Sequence, residues 1–137
     1  MLISASVKNA GGRHVTSVCT GDISQTLEIK AKPDGKGSAI NGGELLLLAL
    51  ATCYCNDLYR EAQRLGIPLE GIDVSASAEF DGIGLAAKNI RYRASVTSSA
   101  DSESIERLLR ETDVVAEIHN TVRAAIPVTL VTGTANA

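Results

Sequence analysis

The sequence predicts an α+β domain in which antiparallel sheets wrap around one long central helix, with the element order βββ-α-ββ-α-β. Three observations lead to this prediction. Short alternating segments precede residue 33, a long apolar segment follows Asn41, and a clean two-residue alternation follows Pro68. A period of two indicates half-buried strands, whereas a long run of Leu and Ala indicates a helix. At 137 residues the chain suits one domain, residues 1–137.

The first part of the chain is predicted to form a three-stranded meander. Strands are expected over residues 2–8, 13–20 and 25–32, with Gly-containing turns between them. Residues 33–38, Pro-Asp-Gly-Lys-Gly-Ser, are rich in turn formers and are expected to lead the chain as a loop into the helix.

A long helix is predicted from Gly42 to Leu65, because Leu and Ala dominate the segment. Asn41 is suited to be its N-cap, and Glu44 stands three residues later in a variant of the capping box. Gly66, followed closely by a proline, ends the helix.

The apolar first half of this helix predicts a homodimer. A helix of this length measures roughly 35 Å, and a helix that is apolar on all sides needs cover on all sides. A second subunit is the economical source of that cover. The apolar run is far shorter than the about 20 residues of a membrane span, so no membrane partner is expected.

Two alternating segments after Pro68, residues 72–80 and 90–96, predict a hairpin. Asp101 or Ser102 then caps a helix, for which a break near Asp113 is expected.

A last strand is expected over residues 127–132. The hot-dog fold of thioesterases also wraps a sheet around a long helix, and it is the alternative fold.

Composition excludes several classes of function. The formal charge is −3 and only 3% of residues are aromatic, which argues against a nucleic-acid partner. The first residues lack the basic segment and long apolar core of a secretory signal, so a cytoplasmic protein is expected. Three cysteines without a Cys-x-x-Cys motif indicate neither a disulfide framework nor a zinc ribbon. Neither a metal nor another cofactor is expected.

Four features in their order along the chain resemble the OsmC and organic hydroperoxide reductase superfamily. They are Gly11-Gly-Arg13, Asn41-Gly-Gly-Glu-Leu45, the spacing from Asn41 to Cys53, and Gly66-Ile-Pro-Leu-Glu-Gly-Ile-Asp-Val74. The resemblance implies an OsmC-like fold and an intertwined homodimer. It further implies a thiol peroxidase site at the subunit interface that reduces organic hydroperoxides. Cys53 matches the reactive cysteine of that family and Arg13 the arginine that activates it.

The chain also departs from the family pattern at two places. The glutamate that holds the arginine in hydroperoxide reductases aligns with Gly43, so Glu44 comes one residue late and about 100° further round the helix. Glu44 replaces that glutamate only if the start of the helix is remodelled. The second, resolving cysteine of the family falls on Ala116. An external thiol reductant is therefore expected to regenerate Cys53.

The chemistry expected of Cys53 depends on a nearby cation. A free thiol with a pKa of about 8.5 is only about 3% thiolate at pH 7, and the thiolate is the attacking species. Arg13 within a few ångströms would lower that pKa by about 1 to 3 units. Asp57, four residues after Cys53, would oppose the thiolate unless it points at Arg13 or Arg60.

Three further residues are accessory candidates. Cys55 lies about 200° round the helix from Cys53, so the two side chains point in different directions. Cys19, on an early strand, is the better alternative for a resolving thiol. His119, one turn after Ala116, is a candidate to pair with Cys53 or a ligand. The structural alternatives are a core or interface residue for each cysteine and a capping or solvated side chain for His119.

Three functions stay open from the sequence. The first is reduction of an organic hydroperoxide by Cys53 with the help of Arg13. The second is a noncatalytic OsmC-like dimer that binds a small hydrophobic ligand. The third is a hot-dog thioesterase, whose activity would survive the loss of every cysteine.

Overall fold

The structure, a computed structural model, describes residues 1–131 and confirms the α+β class. In chain order the elements are β1 (Ile3–Ala10), β2 (Arg13–Thr20), β3 (Ile23–Leu27), α1 (Gly42–Leu65), β4 (Gly71–Glu79), β5 (Lys88–Thr97), α2 (Ser102–Val115) and α3 (Glu117–Arg123). The chain divides into two compact units, Met1–Leu46 and Leu47–Ala137, which are described separately. A single domain over the whole chain stays a prediction.

The first unit contains an antiparallel sheet of order β1-β2-β3, the predicted meander. β2 has its predicted bounds, whereas β3 begins and ends earlier than expected. Gly11 and Gly12 form the two-residue turn between β1 and β2 with φ of +57° and +78°. Positive φ at both central residues is typical of the tight turns that fit the twist of a hairpin, and glycine adopts it without steric cost.

One face of this sheet is apolar and exposed. The register aligns Ile3, Thr20 and Ile23 across the three strands, and it aligns Val7, Thr16 and Leu27. The four large apolar side chains in these two rows, Ile3, Val7, Ile23 and Leu27, are between 46% and 69% exposed. An antiparallel sheet commonly packs one face and exposes the other, and among residues 1–131 it is the apolar face of this sheet that is left exposed.

Helix α1 begins and ends as the sequence predicts. The capping box is formed in both directions. The Glu44 backbone N–H donates to Asn41 Oδ1 at 2.8 Å, and the Asn41 N–H donates to Glu44 Oε1 at 3.1 Å. At the other end Gly66 has φ of +70°, the left-handed conformation that ends many helices.

The second unit has its core where α1, the β4-β5 hairpin and the later helices meet. Its buried members are Tyr54, Leu58, Ala62, Leu108 and Ala116, and half-buried side chains of β4 and β5 pack against them. The hairpin is antiparallel as predicted, with an irregular register between Ser77 and Glu79. Asp101 caps α2 by accepting from the Ser104 N–H at 2.7 Å.

The predictions for the end of the chain hold in part. The predicted break in the helical region is confirmed, with Ala116, one turn after Asp113, in an extended conformation with ψ of 102°. The predicted closing strand does not form over residues 127–131, and Thr132 lies outside the described residues. Val128 is 99% and Leu130 87% exposed. A strand needs a hydrogen-bonding partner as well as alternation, and within residues 1–131 this segment has none.

Within residues 1–131, no helix has the length and apolar character that crossing a membrane requires.

Candidate functional site

Cys53 lies in the middle of α1, half-buried and with a free thiol. Two carboxylates of the second unit lie beside its sulfur. The sulfur lies 3.6 Å from Asp57 Oδ2, one helical turn away, and 3.9 Å from Glu117 Oε2 at the start of α3. The thiol therefore donates toward acceptors that carry negative charge.

These surroundings raise the pKa of the Cys53 thiol above its ordinary value. Burial is the largest cause, and the negative charges of Asp57 and Glu117 act in the same direction, because each of them disfavours a neighbouring thiolate. A hydrogen bond from the backbone amide of Ile118 opposes them and lowers the pKa. Taken alone, the second unit therefore favours the protonated thiol of Cys53.

Arg60 compensates the carboxylates rather than the sulfur. Its Nη1 lies 2.9 Å from Asp57 Oδ1 and 3.9 Å from Glu117 Oε1. The sequence had offered Arg60 as one of two partners for Asp57, and this pairing is confirmed. Burial nevertheless raises the pKa of Asp57, and the negative charge of Glu117 adds to the increase.

The same cluster brings three atoms that could ligate a metal ion together. The Cys53 sulfur and one oxygen each from Asp57 and Glu117 lie within 4.8 Å of one another. Because the Arg60 guanidinium lies beside both carboxylates and offsets part of their charge, this spacing is explained without a metal ion. The sequence missed Glu117. The available signal was its position next to Ala116, which aligns with the family's second cysteine.

Arg13 and Glu44 lie in the first unit. Arg13 is exposed at the start of β2, directly after the Gly11-Gly12 turn, and no ion pair within residues 1–131 involves it. A Cβ on Gly35 would come within 2.9 Å of Gly12 Cα, so the loop before α1 packs closely against this turn. Glu44 uses one carboxylate oxygen in the capping box. A catalytic site that joins either residue to Cys53 stays a prediction.

The two other cysteines are also free thiols and half-buried. Cys19 donates locally, with its sulfur 3.1 Å from the Gly21 carbonyl oxygen. Cys55 follows Cys53 on α1, where a separation of about 200° turns the two side chains apart. A resolving role for either one stays a prediction.

His119 is buried on α3, with only 4% of its surface exposed. Its ring packs edge-on against Tyr92, with centroids 4.4 Å apart, and lies 5.8 Å from the Tyr54 ring. Within residues 1–131 neither ring nitrogen has a hydrogen-bond partner, so the suggested pairing with Cys53 is absent there. Burial lowers the pKa of His119, and the charge of Arg123 lowers it further, which favours the neutral ring.

Three solved structures illustrate what this chain resembles. An OsmC like protein from Mycoplasma pneumoniae is 15% identical, with a TM-score of 0.65, over 90% of this chain and 88% of that one. A hypothetical protein from Aquifex aeolicus VF5 is 15% identical, with a TM-score of 0.68, over 91% and 89%. The organic hydroperoxide resistance protein OhrB of Bacillus subtilis is 16% identical, with a TM-score of 0.55, over 90% and 91%. These likenesses show a shared fold.

No protein with a curated description matches this chain significantly. The OsmC family, described as OsmC-like protein, matches residues 35–131. That match covers more than half of the sequence and includes α1, the second sheet and both later helices. The chain therefore belongs to the OsmC-like protein family.

Proposed function

We propose that this protein reduces organic hydroperoxides with Cys53 as the attacking thiol. The observation that carries the proposal is a free, half-buried thiol in the middle of α1, in a chain that belongs to the OsmC-like family. The names of similar structures from Bacillus subtilis and Legionella pneumophila identify those proteins as organic hydroperoxide resistance proteins. The hot-dog thioesterase alternative gains no support from this family assignment.

The proposed reaction proceeds in two stages. The Cys53 thiolate attacks the terminal peroxide oxygen, the O–O bond breaks, and the alkoxide leaves and takes a proton as the alcohol. Cys53 is thereby oxidised to the sulfenic acid. An external thiol then attacks this sulfur and releases water, and a second external thiol restores Cys53 while the two reductant sulfurs form a disulfide. A reducing compartment such as the cytoplasm supplies such thiols.

This reaction requires a cation that the neighbours of Cys53 in the second unit do not provide. Burial, Asp57 and Glu117 all raise the pKa of the thiol, and Arg60 is held by the carboxylates. Arg13 is the residue we assign to this role. It is exposed, it forms no ion pair within residues 1–131, and it directly follows the Gly11-Gly12 turn. An arginine also binds the departing peroxide oxygen with its planar donor fork.

A homodimer is part of the proposal, since the chain exposes apolar surface on both of its units. The first sheet exposes an apolar face, and Leu48 on α1 is 60% exposed. Burying such surface stabilises an assembly by roughly 25 cal/mol per Å². We expect light scattering to give twice the mass of the 14.3 kDa chain in dilute solution. A monomeric mass would contradict the dimer.

A noncatalytic protein that binds a small hydrophobic ligand is the second candidate function. The carboxylates beside Cys53 favour it, because they oppose the thiolate that peroxide reduction needs. In that case Cys53 is a lining residue, and its thiol titrates above the ordinary range in the whole protein.

The rate of Cys53 alkylation as a function of pH distinguishes the two candidates. The rate follows the thiolate fraction, so it rises through the pKa and is constant above it. If Arg13 activates Cys53, the midpoint in the intact protein lies below the about 8.5 of an ordinary thiol. The Arg13→Gln variant then shifts the midpoint upward, because burial and the two carboxylates remain.

The measurement is iodoacetamide labelling of Cys53, followed by peptide mass spectrometry at a series of pH values. Arg110→Gln is the matched control, since Arg110 is exposed and pairs only with Glu106 among residues 1–131. It is expected to leave the midpoint unchanged. A midpoint above the ordinary range in the intact protein would contradict the peroxidase and support the second candidate.

A further inference from the structure

A cleft of about 350 Å³ lies within the second unit, and Cys53 is not part of its lining. Leu50, Ile90 and Val122 form much of its apolar wall. Its polar lining includes Lys88, His119 and Arg123, and none of the described residues that line it is acidic. The Cys53 sulfur instead contacts Glu117 and the Ile118 amide.

His119 is the feature of this cleft that core packing does not explain. Its side chain is buried, yet within residues 1–131 both ring nitrogens lack a hydrogen-bond partner. Buried polar groups are nearly always paired, because an unpaired one loses its hydration and gains nothing in return. A phenylalanine would fill the same space among Tyr54 and Tyr92 at no such cost. Both nitrogens have almost no accessible surface, so a ligand that displaces the neighbouring side chains and bonds to the ring would remove the penalty.

The charges around the cleft favour a negative group. Arg123 is fixed by Asp113, with Nη2 2.6 Å from Oδ1, so its guanidinium is held in place beside the cleft. Lys88 pairs with Asp81 at 2.7 Å, and both side chains are about half exposed. A pair this exposed contributes little and exchanges readily. The Lys88 ammonium is therefore available to a carboxylate at the cleft.

The apolar wall and the volume restrict the rest of the ligand. Small-molecule sites have volumes of about 300–1,000 Å³, so this cleft is at the small end. Such a volume admits a short alkyl chain or a single ring. A fully polar anion would leave Leu50, Ile90 and Val122 without apolar contact.

We propose that this cleft binds a small organic monocarboxylate with a short apolar body, whose carboxylate bonds to His119 and pairs with Lys88. The site goes beyond hydroperoxide reduction, because it is lined by other residues and involves no change at Cys53. A neutral His119 ring donates one hydrogen bond to the carboxylate. Lys88 adds a charge-assisted contact, and the body packs against the apolar wall.

Hexanoate and benzoate are the probes. Two control compounds accompany them: 1-hexanol lacks the negative charge, and acetate lacks the apolar body. Binding to the full chain is measured by calorimetry and by the ring chemical shifts of His119. The chain has two histidines, so a His14→Phe variant assigns the resonances. We expect both carboxylates to bind saturably and to shift the His119 resonances, and hexanol and acetate to bind more weakly.

Two variants locate the site. His119→Phe keeps an aromatic ring but removes both nitrogens, and it is expected to weaken hexanoate binding about tenfold, as the loss of one hydrogen bond to a charged group predicts. The Lys88 side chain is about half exposed, so the Lys88→Gln variant is expected to fold normally. Its affinity for hexanoate is expected to fall about threefold, which corresponds to the loss of one partly screened charge. His14→Phe and Arg110→Gln are the matched controls, for which unchanged affinity is expected.

Three results would overturn the site. They are the absence of saturable carboxylate binding, equal binding of hexanol and hexanoate, and an affinity that neither His119→Phe nor Lys88→Gln changes. If His119→Phe fails to fold, Lys88→Gln alone decides the outcome. None of these measurements depends on hydroperoxide chemistry. The carboxylate site can therefore be refuted without refuting the proposed peroxidase, and the reverse also holds.

Discussion

The Cys53→Ser variant is expected to lose hydroperoxide consumption by at least about 1,000-fold, as is typical when a reaction loses its nucleophile. A serine hydroxyl is not appreciably ionised near neutral pH and forms no sulfenic acid, so both stages of the proposed reaction fail. Cys53 is half-buried, and a serine of similar size leaves the helix intact. The measurement is the consumption of cumene hydroperoxide with an excess of a dithiol reductant, at matched protein concentration.

The matched control is Cys55→Ser, which changes the same residue type on the same helix. It is expected to retain most of the activity, because the Cys55 side chain points away from Cys53. Mass spectrometry after one equivalent of hydroperoxide should place the sulfenic acid on Cys53 in the wild-type protein. Equal rates for the two serine variants would refute the assignment of Cys53.

Leu58→Ala is expected to reduce the free energy of unfolding by about 3 to 5 kcal/mol. Leu58 is fully buried at the centre of the second unit, where it packs with Tyr54, Ala62 and Leu108. The loss combines the transfer free energy of the deleted atoms with the cavity that remains among rigid neighbours. Many domains have a total stability of only about 5–15 kcal/mol, so this single change removes a large fraction of it.

Urea denaturation followed by circular dichroism measures this loss, at one fixed protein concentration because a dimer's stability depends on concentration. Leu85→Ala is the matched control. Leu85 lies in the connection between β4 and β5 and is 59% exposed, so its truncation should change the free energy of unfolding by less than about 0.5 kcal/mol. Similar losses for both variants would show that the core is not where the structure places it.

Much of the fold could be predicted because its signals are local. The bounds of α1 agree with the prediction because Asn41 and Glu44 satisfy each other's backbone N–H groups within one turn of helix. The hairpin of β4 and β5 follows from alternation, which sets which side chains face the core. The prediction of a closing strand was wrong. Residues 127–131 have a side-chain pattern that suits a strand, but a strand also needs a neighbouring strand to bond to, and the pattern does not supply one.

The candidate site was predicted less completely, because its electrostatics come from residues far apart in sequence. Asp57 was foreseen as an opposing charge one turn from Cys53, and Arg60 as a partner for it. Glu117 was missed, since only the packing of α3 brings its carboxylate to the sulfur across 64 positions of sequence. His119 was noticed as an accessory residue, but its burial against two tyrosines has no local signal.

By itself the sequence determined the long helix and its caps, the meander before it, the hairpin after it, and the thiol at its middle. These depend on hydrogen bonds and periodicities that span a few residues. The tertiary structure alone decided that Glu117 approaches the thiol beside Asp57, where burial and both carboxylates raise the pKa of Cys53, and that a buried histidine lines a cleft. Burial and charge at a point in space are sums over every element that packs there, and no single segment of the chain contains that sum.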